Sequence, residues 1–110
     1  PSRAPQEQVY QLILADLTEA EAAGLPWMDQ SGRINLAAVK ALLAKVHLTM
    51  AGFPLQKGAA SYKLAADKAF EIITYANANP TVINLFPAYA NIRNETLENR
   101  VEHLFSLQYN

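Results

Sequence analysis

Residues 35–52, NLAAVKALLAKVHLTMAG, decide the fold, with Gly32-Arg33 just ahead of them. The stretch reads as one buried α-helix. Val39, Leu42, Leu43, Val46 and Met50 recur at helical spacing as a face of large side chains, and Ala37, Ala41, Ala44, Leu48 and Ala51 as a face of mostly small ones. Only a narrow strip through Lys40 and His47, flanked by Lys45 and Thr49, stays polar. A helix apolar on two sides needs neighbours on both, and the alanine seam lets one of them come close. Asn35 is placed to cap this helix by accepting a first-turn N–H. Gly52 is expected to end it in the left-handed conformation, and Pro54 to prevent its resumption.

Upstream, residues 5–23 read as a first helix, with Pro5 at the first helical position and a stripe of Val9, Ile13, Leu17 and Ala20 widened by Leu12. Gly24 ends it, and residues 25–32 form a loop. Downstream, Ser61 is expected to cap a third helix over residues 62–77, with Tyr62, Ala65, Ala66, Ala69, Ile72, Ile73 and Ala76 inward, broken by Asn79-Pro80. Residues 84–99 show no sustained period. From Val101 the pattern alternates, with Val101, His103, Phe105, Leu107 and Tyr109 on one face, which predicts a short terminal β-strand. One strand needs a ladder partner, so its partner is expected outside these residues. The fold class is therefore all-α: three main antiparallel helices and an irregular C-terminal third ending in a short strand.

Half the residues are hydrophobic (51%) and 17% are charged, a globular composition. The net charge of −1 gives no field that would favour nucleic acid. The charge is segregated, however. Residues 1–34 hold two basic and five acidic groups, and residues 35–80 hold five and two, a distribution that would help adjacent helices pair. With no cysteine, disulfides and thiolate metal sites are excluded. The opening PSRAPQEQ lacks methionine and a leader pattern, and we expect residues 1–110 to be a helical segment of a longer chain.

The order of these features resembles the SusD-like (SusD/RagB) family. The points of resemblance are Val9-Tyr10 followed by Ile13 and Asp16-Leu17; Leu25-Pro26; Gly32-Arg33; the alanine-rich run Ala38 to Leu48; Gly52-Phe53; Tyr62 with Ala65-Ala66; and the ending Glu102 to Tyr109. The resemblance implies a tetratricopeptide-like arrangement in which residues 37–53 and 61–74 are the two helices of one repeat, with residues 54–60 inserted. It also implies the biology of that family. The parent would be a surface-exposed outer-membrane lipoprotein that binds an oligosaccharide or similar nutrient and hands it to a TonB-dependent (SusC-like) transporter. This segment would be scaffold and transporter-facing. The alternative, from another class, is a free-standing tetratricopeptide module that binds a peptide in its groove.

No catalytic constellation is legible. His47 and His103 lack a carboxylate or second histidine at metal-ligand spacing, and Asp16 and Glu19 fit a solvated helix face. Neither a nucleophile elbow nor a phosphate-binding glycine loop occurs, so no enzyme activity, metal or cofactor is expected. The one candidate ligand contact is Trp27, whose ring can either stack on a sugar or close the end of a helix hairpin by packing. Arg33 is expected to be structural, binding carbonyls or pairing with Asp29. The isolated chain is expected to self-associate through its terminal strand or an uncovered helix face, or to leave residues 84–110 poorly ordered.

Overall fold

The computed structural model describes residues 2–108, as three α-helices followed by an irregular third. α1 runs Gln6–Glu21, α2 Leu36–Ala51 and α3 Ala59–Ala78, and short 3-10 turns follow at Tyr89–Arg93 and Glu95–Leu97. α2 is the middle element. It packs extensively on α3 and also against α1. The short connection through residues 52–58 makes α2 and α3 an antiparallel pair, the tetratricopeptide-like arrangement that the family resemblance implied.

The core is largely α2 itself. Ala37, Val39, Leu43, Met50 and Ala51 are buried, joined by Ala65 of α3 and Ile83 beyond it, and Leu43 is only 1% exposed. Of the alanine seam, Ala37 and Ala51 are buried, while Ala44 and Leu48 line a cleft with Ala65, Ala66 and Ala69 of α3. Other expected core positions lie outside. Leu42 and Leu48 of α2, and Tyr62 and Ile73 of α3, are about half exposed, and α3 buries Ser61 and Ala65. No residue of α1 is fully buried.

The start of α2 is the best-tied point in the chain. A helix leaves its first four N–H groups without intrahelical partners. Here the Leu36 N–H donates to the Pro26 carbonyl at 2.8 Å and the Ala37 N–H to the Trp27 carbonyl at 3.2 Å. Asn35 caps as expected, its Oδ1 accepting from the Ala38 N–H at 2.8 Å. Its Nδ2 donates to the Leu104 carbonyl at 2.5 Å, so one buried amide also anchors the C-terminal segment.

Three termini differ from expectation. Pro5 precedes α1 as its N-cap, with its carbonyl accepting from Gln8 and Val9. Gly52 has φ −91°, ordinary extended backbone, so the left-handed glycine of this connection is Gly58, at φ +67°. There the Lys57 and Gly58 N–H groups turn back onto the Met50 and Ala51 carbonyls, and α3 begins two residues before Ser61. Ser61 therefore lies buried inside the helix instead of capping it.

The expected strand over Val101–Tyr109 does not form among the described residues, and Tyr109 lies outside them. The cause is local. Asn99 (φ +58°) and Val101 (φ +24°) stand in the left-handed region, and the His103 N–H closes a turn onto the Arg100 carbonyl at 2.8 Å. Val101 and Glu102 are the middle of that turn and cannot lie in a ladder. The segment beyond is tied by side chains. Asn99 and Gln108 exchange amide hydrogen bonds at 3.1 and 3.3 Å, and Asn99 also donates to the Gln30 carbonyl. Gly32, at φ +86°, makes room for this. A Cβ there would meet the Gln108 side chain at 3.0 Å.

Truncating Leu43→Ala should lower the unfolding free energy by roughly 2–5 kcal/mol, the range for a buried leucine. Asn35→Ala should cost more than the roughly 1 kcal/mol of an ordinary cap, because the Leu104 tie goes with it. Equilibrium denaturation of both variants checks the assignment, and a parent-like midpoint for Leu43→Ala would contradict it.

Candidate functional site

The loop between α1 and α2 places Trp27 against α3. Its carbonyl is held by the Ala37 N–H, which fixes the backbone, and its ring stacks on Tyr75 with centroids 4.0 Å apart and planes 10° from parallel. Such stacking adds about 0.5–1.5 kcal/mol beyond the area buried. The Lys40 ammonium lies 5.7 Å from the Trp27 ring centroid. Trp27, Tyr75 and Phe70 wall a shallow, mainly apolar cleft of about 420 Å³, with Lys40, Glu71 and Thr74 at its polar positions. Of the two readings of Trp27, the geometry provides the packing partner that the second requires. Tyr75 had no signal of its own in the sequence, since an aromatic near the end of a helix is common core chemistry.

Lys40, in the strip expected to stay polar, is only 8% exposed. Burying an ammonium requires a partner, and two are present. Lys40 Nζ lies 2.9 Å from Glu21 Oε2 and 3.4 Å from Glu71 Oε2, while Lys68 Nζ lies 2.8 Å from Glu21 Oε1 and 3.4 Å from Glu71 Oε2. Glu21 ends α1, Lys40 belongs to α2, and Lys68 and Glu71 to α3, so one four-charge cluster joins all three helices. A second bridge, Lys57 to Glu7, ties the α2–α3 connection to the first turn of α1. Both use the opposite charges of the first and middle thirds.

Burial pushes the Glu21 carboxyl up, but hydrogen bonds from Lys68 and Lys40, with their charges, outweigh it and hold the group below its ordinary value. Burial pushes the Lys68 ammonium down, and Glu21 and Glu71 more than restore it. His47, half-buried on α2, is pushed down by burial and by the charge of Lys68. His103 packs edge-on against Phe86 with ring centroids 5.4 Å apart, and its buried Nε2 has no partner among the described residues. No group of three His, Asp or Glu that could hold a metal occurs among the described residues. Asp16 and Glu19 are solvated as expected. Asp29 is bound by the Ser31 hydroxyl and N–H instead of by Arg33, whose charge acts on it only at a distance.

The cluster sets a pH window. Glu21 has a depressed folded value, so its contribution is present above the ordinary value of 4.5 and is lost as pH falls through the lower folded one. Lys68 has a raised folded value, so its contribution is present below the ordinary 10.5 and is lost as pH rises past it. Thermal melts should show a plateau between these limits and a fall on both sides. Glu21→Ala, which leaves Lys40 buried with only the longer Glu71 contact, should cost roughly 3–5 kcal/mol and remove most of the acid arm. An unchanged melt in Glu21→Ala would show that the cluster contributes nothing.

No family model matches the sequence, and no curated protein matches it. A solved structure does. The crystal structure of a SusD superfamily protein from Parabacteroides distasonis ATCC 8503, at 1.95 Å resolution, is 38% identical to this chain over 98% of its length, with a TM-score of 0.86. The match occupies 22% of that protein's chain, so the present chain spans about a fifth of the structure it matches. In sequence and in fold alike, the chain is SusD-like.

Proposed function

We propose that these residues are the helical scaffold of a larger cell-surface nutrient-binding protein. The observation that carries this is the match to about a fifth of a SusD superfamily protein at 38% identity and a TM-score of 0.86. On this reading the parent is an outer-membrane lipoprotein that captures an oligosaccharide or similar nutrient and delivers it to a TonB-dependent transporter. It acts by binding, without making or breaking bonds. The segment's share is rigidity and contact with the transporter, while the glycan is held by other parts of the parent. The stacking of Trp27 on Tyr75 supports that division, since the ring best suited to a sugar already has a partner within the fold. No helix among the described residues is long and apolar enough to cross a membrane.

Calorimetry with a panel of oligosaccharides tests the reading. The gene product from which these residues come should give a saturable signal, the isolated 110 residues none, and neither should turn over any glycan. Saturable binding by the isolated chain, abolished in Trp27→Ala, would move the sugar site into the Trp27 cleft. Binding of peptides in place of glycans by the gene product would favour the free-standing tetratricopeptide module. Trp27→Ala should lower stability by roughly 2–3 kcal/mol, below the 3–5 of a fully buried aromatic, because the ring is only partly covered. Denaturation measures it. A neutral result would mean that the stack does not hold the loop.

A further inference from the structure

Three stretches of irregular chain meet around a second cleft, of about 270 Å³, which shares no lining residue with the Trp27 cleft. Met28 and Gln30 come from the loop before α2, Thr81 and Val82 from the residues after α3, and Arg100 and Val101 from the turn that replaces the expected strand. This cleft is more enclosed and more polar than the first. Its walls are fixed. Asn99, only 8% exposed, donates to the Gln30 carbonyl at 3.3 Å and exchanges bonds with Gln108. The Val101 carbonyl accepts from the Asn84 N–H at 3.1 Å, and the Val82 N–H donates to the Asn79 carbonyl at 3.0 Å. Asp29, between Met28 and Gln30, turns its carboxylate to the Ser31 N–H and hydroxyl, and no acidic side chain lines the cleft. Among the described residues, Arg100 makes no ion pair, and the side chains of Gln30, Thr81 and Arg100 make no hydrogen bond. Arg100 also stands between two residues at positive φ, Asn99 at +58° and Val101 at +24°. A β-branched residue rarely adopts that conformation, and backbone held in it gathers at ligand sites.

We propose that this cleft binds a small hydroxy carboxylate. The Arg100 guanidinium takes the carboxylate through paired N–H groups, the geometry in which an arginine fork is strongest. The Gln30 amide offers both donors and an acceptor, and the Thr81 hydroxyl does the same, which suits the ligand's hydroxyl groups. Met28, Val82 and Val101 cover its carbon skeleton. One cation with no acidic neighbour in the lining balances a single negative charge, which favours a carboxylate over a phosphate dianion. The volume falls a little below the roughly 300–1,000 Å³ of sites for drug-sized ligands, so the ligand is small. This site is separate from the nutrient site that the other parts of the parent hold, and its walls are set before any ligand arrives, which lowers the cost of binding.

Calorimetry on the gene product, titrated with glycerate and gluconate, tests the proposal. Both acids should give saturable heat. Acetate, with the charge but without the hydroxyls, should bind more weakly, and glycerol, with the hydroxyls but without the charge, not measurably. Arg100 is exposed and has no partner in the fold, so its replacement leaves the packing undisturbed. Arg100→Gln should weaken glycerate binding about tenfold or more, the loss expected when a charge-assisted hydrogen bond goes. Absence of a saturable signal for both hydroxy acids would overturn the proposal. So would undiminished affinity in Arg100→Gln, or acetate or inorganic phosphate binding as tightly as glycerate. Oligosaccharide binding by the same gene product is a separate readout, so failure of this site and failure of the nutrient-binding function are distinguishable.

Discussion

Three main-chain N–H groups at the start of α2 govern where the rest of the irregular chain can go. A buried helix end cannot leave them unmet, because an unpaired buried donor costs as much as a lost hydrogen bond. The carbonyls of Pro26 and Trp27 and the side chain of Asn35 meet them. Each partner imposes a consequence. The two loop carbonyls fix the backbone that aims Trp27 at Tyr75. Asn35, held by Ala38, presents its remaining amide to Leu104 and so draws a segment 69 residues away onto the same helix end.

The second constraint is electrostatic. α1 buries none of its side chains fully, so apolar area alone gives it a weak hold on α2. The four charges of Glu21, Lys40, Lys68 and Glu71 supply the specificity that the apolar contact lacks. Lys40 and Glu21 have side chains only 11% and 17% exposed, which removes much of the solvent screening that makes surface pairs nearly worthless. Their position matters as much as their strength. They sit where all three helices meet, beside the aromatic stack, so the loop, the helix pair and α1 are positioned together.

These residues leave several large apolar side chains uncovered. Leu42 and Leu48 of α2, Tyr62 and Ile73 of α3, and Phe105 and Leu107 of the terminal segment expose large apolar area. The scaffold role proposed above would account for such faces, and for an aromatic ring committed to packing and histidines without catalytic company.

By itself the sequence determined the three helices, the cap at Asn35, the central place of α2 and the resemblance to SusD-like proteins. These rest on periodicity, cap chemistry and the order of short motifs, all of which are local along the chain. It also held the charge segregation between its first and middle thirds, without the partners. Only the tertiary structure decided that Lys40 is buried between Glu21 and Glu71, that Trp27 meets Tyr75, and that Asn99, Gln108 and Gly32 lock together. Apart from the Asn99–Gln108 pair, nine positions apart, those outcomes join residues 19 or more positions apart, and no spacing rule connects them. The terminal segment shows the same limit from the other side. Its alternation is a true strand signal, but a strand exists only where a second one meets it. Among the described residues, the turn at Val101 and the absence of a ladder partner decided the matter.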